Sequence, residues 1–225
     1  MAQRQTAMVI GASRGIGLGL VREFSARGWR VVASERSDSP ALHDLARQSG
    51  VEIVKADVTD RAGIAALASA TPSASLDALL VNAGVYDARS VDEAGDEDIL
   101  AIMLANAAGP VRAARALLPS VRDGGTLAFT TSLMGSIADS SGGAELYRMS
   151  KAAQNILARG LFATEAKGRG IAVLSLHPGW VKTDMGGAGA PVSVEDSARG
   201  LADILAAPQP VAHRFLDFRG RELPW

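Results

Sequence analysis

Tyr147 stands four residues ahead of Lys151 in "ELYRMSK", a spacing that puts both side chains on one face of a helix. A phenol with an ordinary pKa of about 10 is a poor base near neutrality. A neighbouring ammonium favours the phenolate and lowers that pKa. Taken alone, the pair fits a packed tyrosine beside a snorkelling lysine better. Further residues have to converge on the same place.

Ser132 closes the apolar run "GTLAFTTS", where a hydroxyl can hydrogen-bond a carbonyl oxygen beside Tyr147. Asn106 lies in "LANAAGPV", a mostly apolar helical stretch in which a polar amide calls for a partner or a bound water. Upstream, "GASRGIG" (11–17) joins the first apolar run to the first helical pattern. Glycines there let the backbone turn tightly and approach a pyrophosphate at a helix N-terminus. The spacing is G-x-x-x-G-x-G, not the commoner G-x-G-x-x-G, and a turn used only for close packing is the alternative. Asp57, in "KADV", can accept from an adenine amino group or cap the next helix, although Asp60 is better placed to cap. In "VNAG" (81–84), Asn82 can tie strand ends together and Gly84 can leave room for a ribose; an ordinary turn is the alternative.

The elements that must position these residues alternate. Strand-like runs are expected over 6–12, 29–35, 51–57, 76–84, 125–132, 170–179 and 213–218. Helical patterns fall over 15–28, 40–50, 60–70, 96–109 with a continuation to 122, 145–167 and 193–206, Pro110 bending or breaking the fourth. Such alternation requires crossovers. The expected fold is therefore α/β: one doubly wound parallel sheet of about seven strands with helices on both faces, in a single domain over 1–225. Ligands of such sheets bind beyond the carboxyl ends of the strands, where the residues above collect. The glycine-rich stretch 185–193 is expected to be a mobile loop over that site.

Composition excludes other classes. With 23 Lys plus Arg against 24 Asp plus Glu, net charge is −1, which gives no support to a nucleic-acid partner. No cysteine is present, so disulfides, thiolate metal sites and cysteine nucleophiles are excluded, and no metal site is expected. No apolar stretch reaches the roughly 20 residues of a membrane span, and the N-terminal "MAQRQTAMVIGASRG" does not read as a signal peptide. The expectation is a cytoplasmic protein without membrane association.

In their order, these motifs resemble the short-chain dehydrogenase/reductase family over nearly the whole chain. Gly11, Ser13, Arg14, Gly15, Ile16 and Gly17 match its nucleotide loop, Asp57 and Val58 its adenine contact, and Asn82, Ala83 and Gly84 its strand-four motif. Asn106, Ser132, Tyr147 and Lys151 match its catalytic four. "HPGWVKTDM" (177–185) resembles the segment after strand six, giving Pro178, Gly179, Val181 and Thr183 as cofactor contacts with Thr183 at the carboxamide. "TSLMGSIAD", "YRMSKAAQN" and "GRELPW" are similar to the branch of C-factor and sniffer-type carbonyl reductases.

The resemblance implies hydride transfer between a nicotinamide and a small-molecule carbonyl or secondary alcohol. Tyr147 would act as acid or base, Ser132 would orient the oxygen, and Lys151 would bind the ribose and lower the phenol's pKa. Asn106 would hold a relay water. It also implies a homodimer or homotetramer formed through the helices of Asn106 and Tyr147. Arg14 and Arg36 suit a 2′-phosphate, and two arginines against one acid make NADP the expected cofactor, with Glu35, which could take the 2′-hydroxyl of NAD, as the departure from that pattern. Met134, Ile137, Leu146, Trp180 and Met185 suggest a mostly apolar substrate pocket, with Lys182 facing solvent. The competing function is a dinucleotide-binding regulatory or signalling protein with little catalysis.

Overall fold

A computed structural model describes residues 4–69 and 71–225. Seven strands form one all-parallel sheet in the order β3-β2-β1-β4-β5-β6-β7. They are β1 (Thr6–Ile10), β2 (Arg30–Glu35), β3 (Glu52–Lys55), β4 (Leu76–Val81), β5 (Val121–Thr130), β6 (Ala172–His177) and β7 (His213–Asp217). The helices between them are α1 (Gly15–Ala26), α2 (Pro40–Ser49), α3 (Arg61–Ser69), α4 (Asp96–Met103), α5 (Gly109–Leu117), α6 (Glu145–Leu161) and α7 (Val194–Ala206).

Side chains alternate across a strand, and β1 shows the consequence. Ala7 and Val9 face the layer that contains Leu20 and Phe24 of α1 and Leu201 of α7. Met8 and Ile10 face the opposite layer, with Leu117 of α5 and Leu161 of α6. Both faces are covered, which is why the strands read as continuous apolar runs.

Three departures from the sequence expectation have local causes. The strand expected from 125 begins at Val121, because a register shift between the Leu76 and Ala78 pairings accommodates a left-handed Gly124 (φ 74°). The helix expected to bend at Pro110 instead passes through a π turn, Leu104–Ala108, before α5 starts at Gly109. Proline supplies no N–H, so the carbonyl of Asn106 has no donor at the i+4 position, and the wider turn falls at that break. The segment after β6 is tied into a compact loop by the Val181–Val192 bridge and by Lys182 N–H donating to the Val192 carbonyl at 2.9 Å.

Candidate active site

β1 ends one residue before Gly11, whose φ of 82° turns the chain away from the sheet. A Cβ at Gly11 would lie 2.9 Å from the Ala83 nitrogen, and one at Gly17 only 2.1 Å from the Gly11 carbonyl oxygen. The loop between them is thus packed backbone against backbone. Asn82 fastens it: its amide donates to the Gly11 carbonyl at 3.0 Å and accepts from the Thr130 hydroxyl at 2.9 Å. Three strand ends are joined by one side chain, as its position at the end of β4 suggests.

Beyond these strand ends lies a cleft of about 500 Å³. Gly11, Ser13, Arg14, Gly15, Ile16, Arg36, Asp57, Val58, Asn82, Ala83, Gly84, Tyr147, Lys151, Pro178 and Thr183 all line it. Gly17, Asn106, Ser132, Gly179 and Val181 do not: Gly17 supports the loop from beneath, Gly179 packs on Phe218 and Val192, and Asn106, Ser132 and Val181 are buried. Lys182, expected to face solvent, is exposed yet also lines the cleft, as do Asp184 and Met185. Asp184 forms an ion pair with Arg14 across the mouth.

Burial works to raise the Asp57 carboxyl, but bonds from the Thr59 N–H and hydroxyl, both 2.8 Å, and the nearby Arg36 outweigh it and hold the pKa below its ordinary value. Asp57 is therefore an anion facing the cleft, while Asp60 accepts from the Gly63 N–H at the start of α3. Glu35 turns the other way. Its carboxylate accepts from the Ser39 N–H at 2.8 Å and meets His43 Nε2 at 2.8 Å, outside the cleft lining.

At the inner end, α6 presents Tyr147 and Lys151. Lys151 is buried, and its Nζ donates to the Thr130 carbonyl at 2.9 Å and to Gln154 Oε1 at 3.2 Å. An ammonium has three N–H groups, so one remains after these two bonds. Burial pulls the Lys151 pKa down to about 7. The phenol moves opposite to the sequence expectation. Burial pushes Tyr147 up to about 12, against a smaller lowering by its hydrogen bond with Ser132, and Tyr86 adds to the rise. The ammonium does not dominate because Nζ is turned to Thr130 and Gln154 and lies 5.8 Å from the ring centroid. Ser132 Oγ also accepts from the Met134 N–H at 3.1 Å, which fixes its position after β5.

Asn106 is fully buried, and its amide is occupied. Oδ1 accepts from the Val85 N–H at 2.7 Å, while Nδ2 donates to the Val85 carbonyl at 2.8 Å and to Ser150 Oγ at 2.9 Å. The group left without a helical donor is the main-chain carbonyl above Pro110. Leu146, expected at a substrate surface, is buried against Ile102 and Tyr147. Ile137, Trp180 and Met185 are exposed. Tyr86 joins the site without being marked by any of the motifs. It meets Tyr147 edge-on with ring centroids 4.9 Å apart, and the one signal for it in the sequence is its place directly after "VNAGV".

A dinucleotide fits this donor set. Glycine backbone lines one wall, Arg14, Arg36 and Lys182 supply positive charge, and Asp57 is an acceptor beside them. At Gly84 a Cβ would come 3.1 Å from Asn106 Oδ1 and 3.4 Å from Lys151 Nζ, filling space at the inner end. Among the described residues no group of His, Cys, Asp and Glu is arranged to hold a metal ion.

The short chain dehydrogenase family model matches residues 5–190. The chain belongs to the short-chain dehydrogenase family. The matched region holds both the glycine loop and the Tyr147–Lys151 pair. C-signal of Myxococcus xanthus is 40% identical over 155 residues, covering 67% of this chain and 93% of that protein. A short-chain dehydrogenase/reductase from Burkholderia multivorans, solved with bound NADP, superposes with a TM-score of 0.93 at 37% identity, covering 99% of this chain and 100% of the other. A carbonyl reductase from Pseudomonas aeruginosa PAO1 in complex with NADP gives 0.88 at 39% identity, with 99% and 100% covered. This chain is thus a short-chain dehydrogenase similar to carbonyl reductases, and a nicotinamide-dependent oxidoreductase. No helix among its described residues is long and apolar enough to cross a membrane.

Proposed function

We propose that this short-chain dehydrogenase uses NADP to interconvert a carbonyl and a secondary alcohol in a small, mostly apolar substrate. The observation that carries the reading is the meeting of Tyr147 and Lys151 at the inner end of a cleft also lined by Arg14, Arg36 and Lys182, with Ser132 hydrogen-bonded to the Tyr147 phenol. NADP is favoured over NAD because Arg14 and Arg36 line the cleft while Glu35 is turned out of it, and the Burkholderia and Pseudomonas structures hold NADP. When bound, the dinucleotide supplies or accepts the hydride.

The chain's own residues handle the oxygen and its proton. Tyr147 is neutral at pH 7 and gives its phenolic proton to the substrate oxygen during reduction. Ser132 hydrogen-bonds the same oxygen and orients it. Lys151, with a pKa close to neutrality, would direct its third N–H at the nicotinamide ribose and pass that proton toward the phenol, being reprotonated from solvent through the relay water. The Asn106 main-chain carbonyl, in place of its occupied amide, is our candidate holder for a water joining Lys151 to solvent. Exposed Ile137, Trp180 and Met185 on the two flanking loops support an apolar substrate. We also propose a homodimer or homotetramer through the helices of Asn106 and Tyr147, in the cytoplasm.

The likeness to C-signal supports a second reading, a dinucleotide-binding signalling protein with little turnover. A panel of apolar aldehydes and ketones separates the two. Loss of NADPH absorbance with one or more substrates supports the oxidoreductase. NADPH binding without consumption across the panel supports signalling.

A further inference from the structure

Glu35 ends β2, the place from which an acidic side chain takes the ribose 2′-hydroxyl of NAD in dinucleotide-binding folds. Here the side chain is 3% exposed and does not line the cleft, whereas its neighbour Arg36 does. Both of its oxygens are engaged on the α2 side: Oε2 by the Ser39 N–H, Oε1 by His43 Nε2, each at 2.8 Å. Ser39 in turn donates its hydroxyl to the Ser13 carbonyl at 2.6 Å, linking the start of α2 to the glycine loop that carries Arg14. One imidazole therefore completes the set of bonds that holds this carboxylate out of the cleft.

We infer that His43 is a positioning residue for cofactor choice, acting through Glu35; the inference rests on the NADP reading of the same cleft. A carboxylate facing the cleft would repel a 2′-phosphate from the Arg14–Arg36 side and would accept a 2′-hydroxyl. Without His43, Oε1 is a buried charged acceptor with no partner, which is costly to leave in place. Rotation toward Arg36 and the cleft relieves that cost. The expected consequence is a change in discrimination between the two dinucleotides. A role confined to fastening α2 would weaken both equally.

Isothermal titration calorimetry of the whole protein with NADP and with NAD tests this without recourse to turnover. His43→Leu should lower the NADP-to-NAD affinity ratio about tenfold, the scale of one hydrogen bond to a charged group. His43→Gln, which keeps a side-chain N–H donor, should keep the wild-type preference. Glu35→Gln added to His43→Leu should restore it by removing the charge. Equal weakening of both cofactors by His43→Leu, or a ratio loss that persists in the double variant, would overturn the inference. A wild-type protein that binds neither dinucleotide, or prefers NAD, contradicts the NADP reading and the inference with it, and is distinguishable from an unchanged ratio in a protein that prefers NADP.

Discussion

Asn82 and Thr130 are joined across the ends of β4 and β5 by a 2.9 Å hydrogen bond from the threonine hydroxyl to the amide oxygen. The same threonine gives its carbonyl to Lys151 Nζ, so the glycine loop, two strand ends and α6 are held through two adjacent residues. The glycine-loop side and the Tyr147 side of the cleft share one support.

Asn82→Ala removes both side-chain bonds and leaves the Gly11 carbonyl and the Thr130 hydroxyl short of partners. Stability should fall by about 1–3 kcal/mol, and NADP affinity should fall with it because the glycine loop loses its anchor. Urea denaturation and a cofactor titration on one preparation check both effects. Normal cofactor affinity in a destabilised variant would show that the tie is only structural.

Gly17→Ala tests the packing beneath the loop. The added methyl would sit 2.1 Å from the Gly11 carbonyl oxygen and 2.9 Å from Asn82 Nδ2, and the first of these is backbone that cannot swing aside. The variant should lose more than about 3 kcal/mol or fail to fold, which is beyond the usual range for a single methyl. A melting temperature near wild type would mean the loop relaxes more readily than its geometry indicates.

Much of this arrangement is legible in the amino-acid sequence. The order of strands and helices follows from apolar periodicity, and Asn82 bridges strand ends because a polar side chain closing a buried strand has neighbouring strand ends within reach. Other features depend on directions that spacing does not encode. Glu35 reads as an NAD-type acid until Ser39 and His43 turn it away. Leu146 reads as a pocket residue by its place beside the loop that precedes α6, but it lies in the first turn of that helix and packs inward with Ile102 and Tyr147. The lowered phenol expected from the Tyr147–Lys151 spacing fails because both groups are buried and the ammonium is directed elsewhere.

Lys151 carries a testable pH signature. Its folded pKa, about 7, lies below the ordinary lysine value of 10.5. The cost of burying its charge is fully present below pH 7. Between 7 and 10.5 the unfolded chain binds more protons than the folded one, so that cost fades as pH rises. Lys151→Met should therefore be inactive yet more stable than wild type, by on the order of 1–3 kcal/mol at about pH 6, with the gap closing as the pH climbs toward the ordinary lysine value. Thermal melts of both proteins across that range check the sign. A variant less stable than wild type on the acid side would show that the bonds to Thr130 and Gln154 outweigh the burial of charge.

In the proposed reaction the Tyr147 phenol moves the proton during hydride transfer. Single-turnover oxidation of pre-bound NADPH by a carbonyl substrate, with wild type and Tyr147→Phe compared at equal cofactor saturation, tests it most directly. Removing a general acid typically costs about 10²–10⁴-fold in rate, and Tyr147→Phe should lose activity in that range with NADPH affinity unchanged, because the ring and its packing remain. Hydride transfer at close to the wild-type rate in Tyr147→Phe would contradict it.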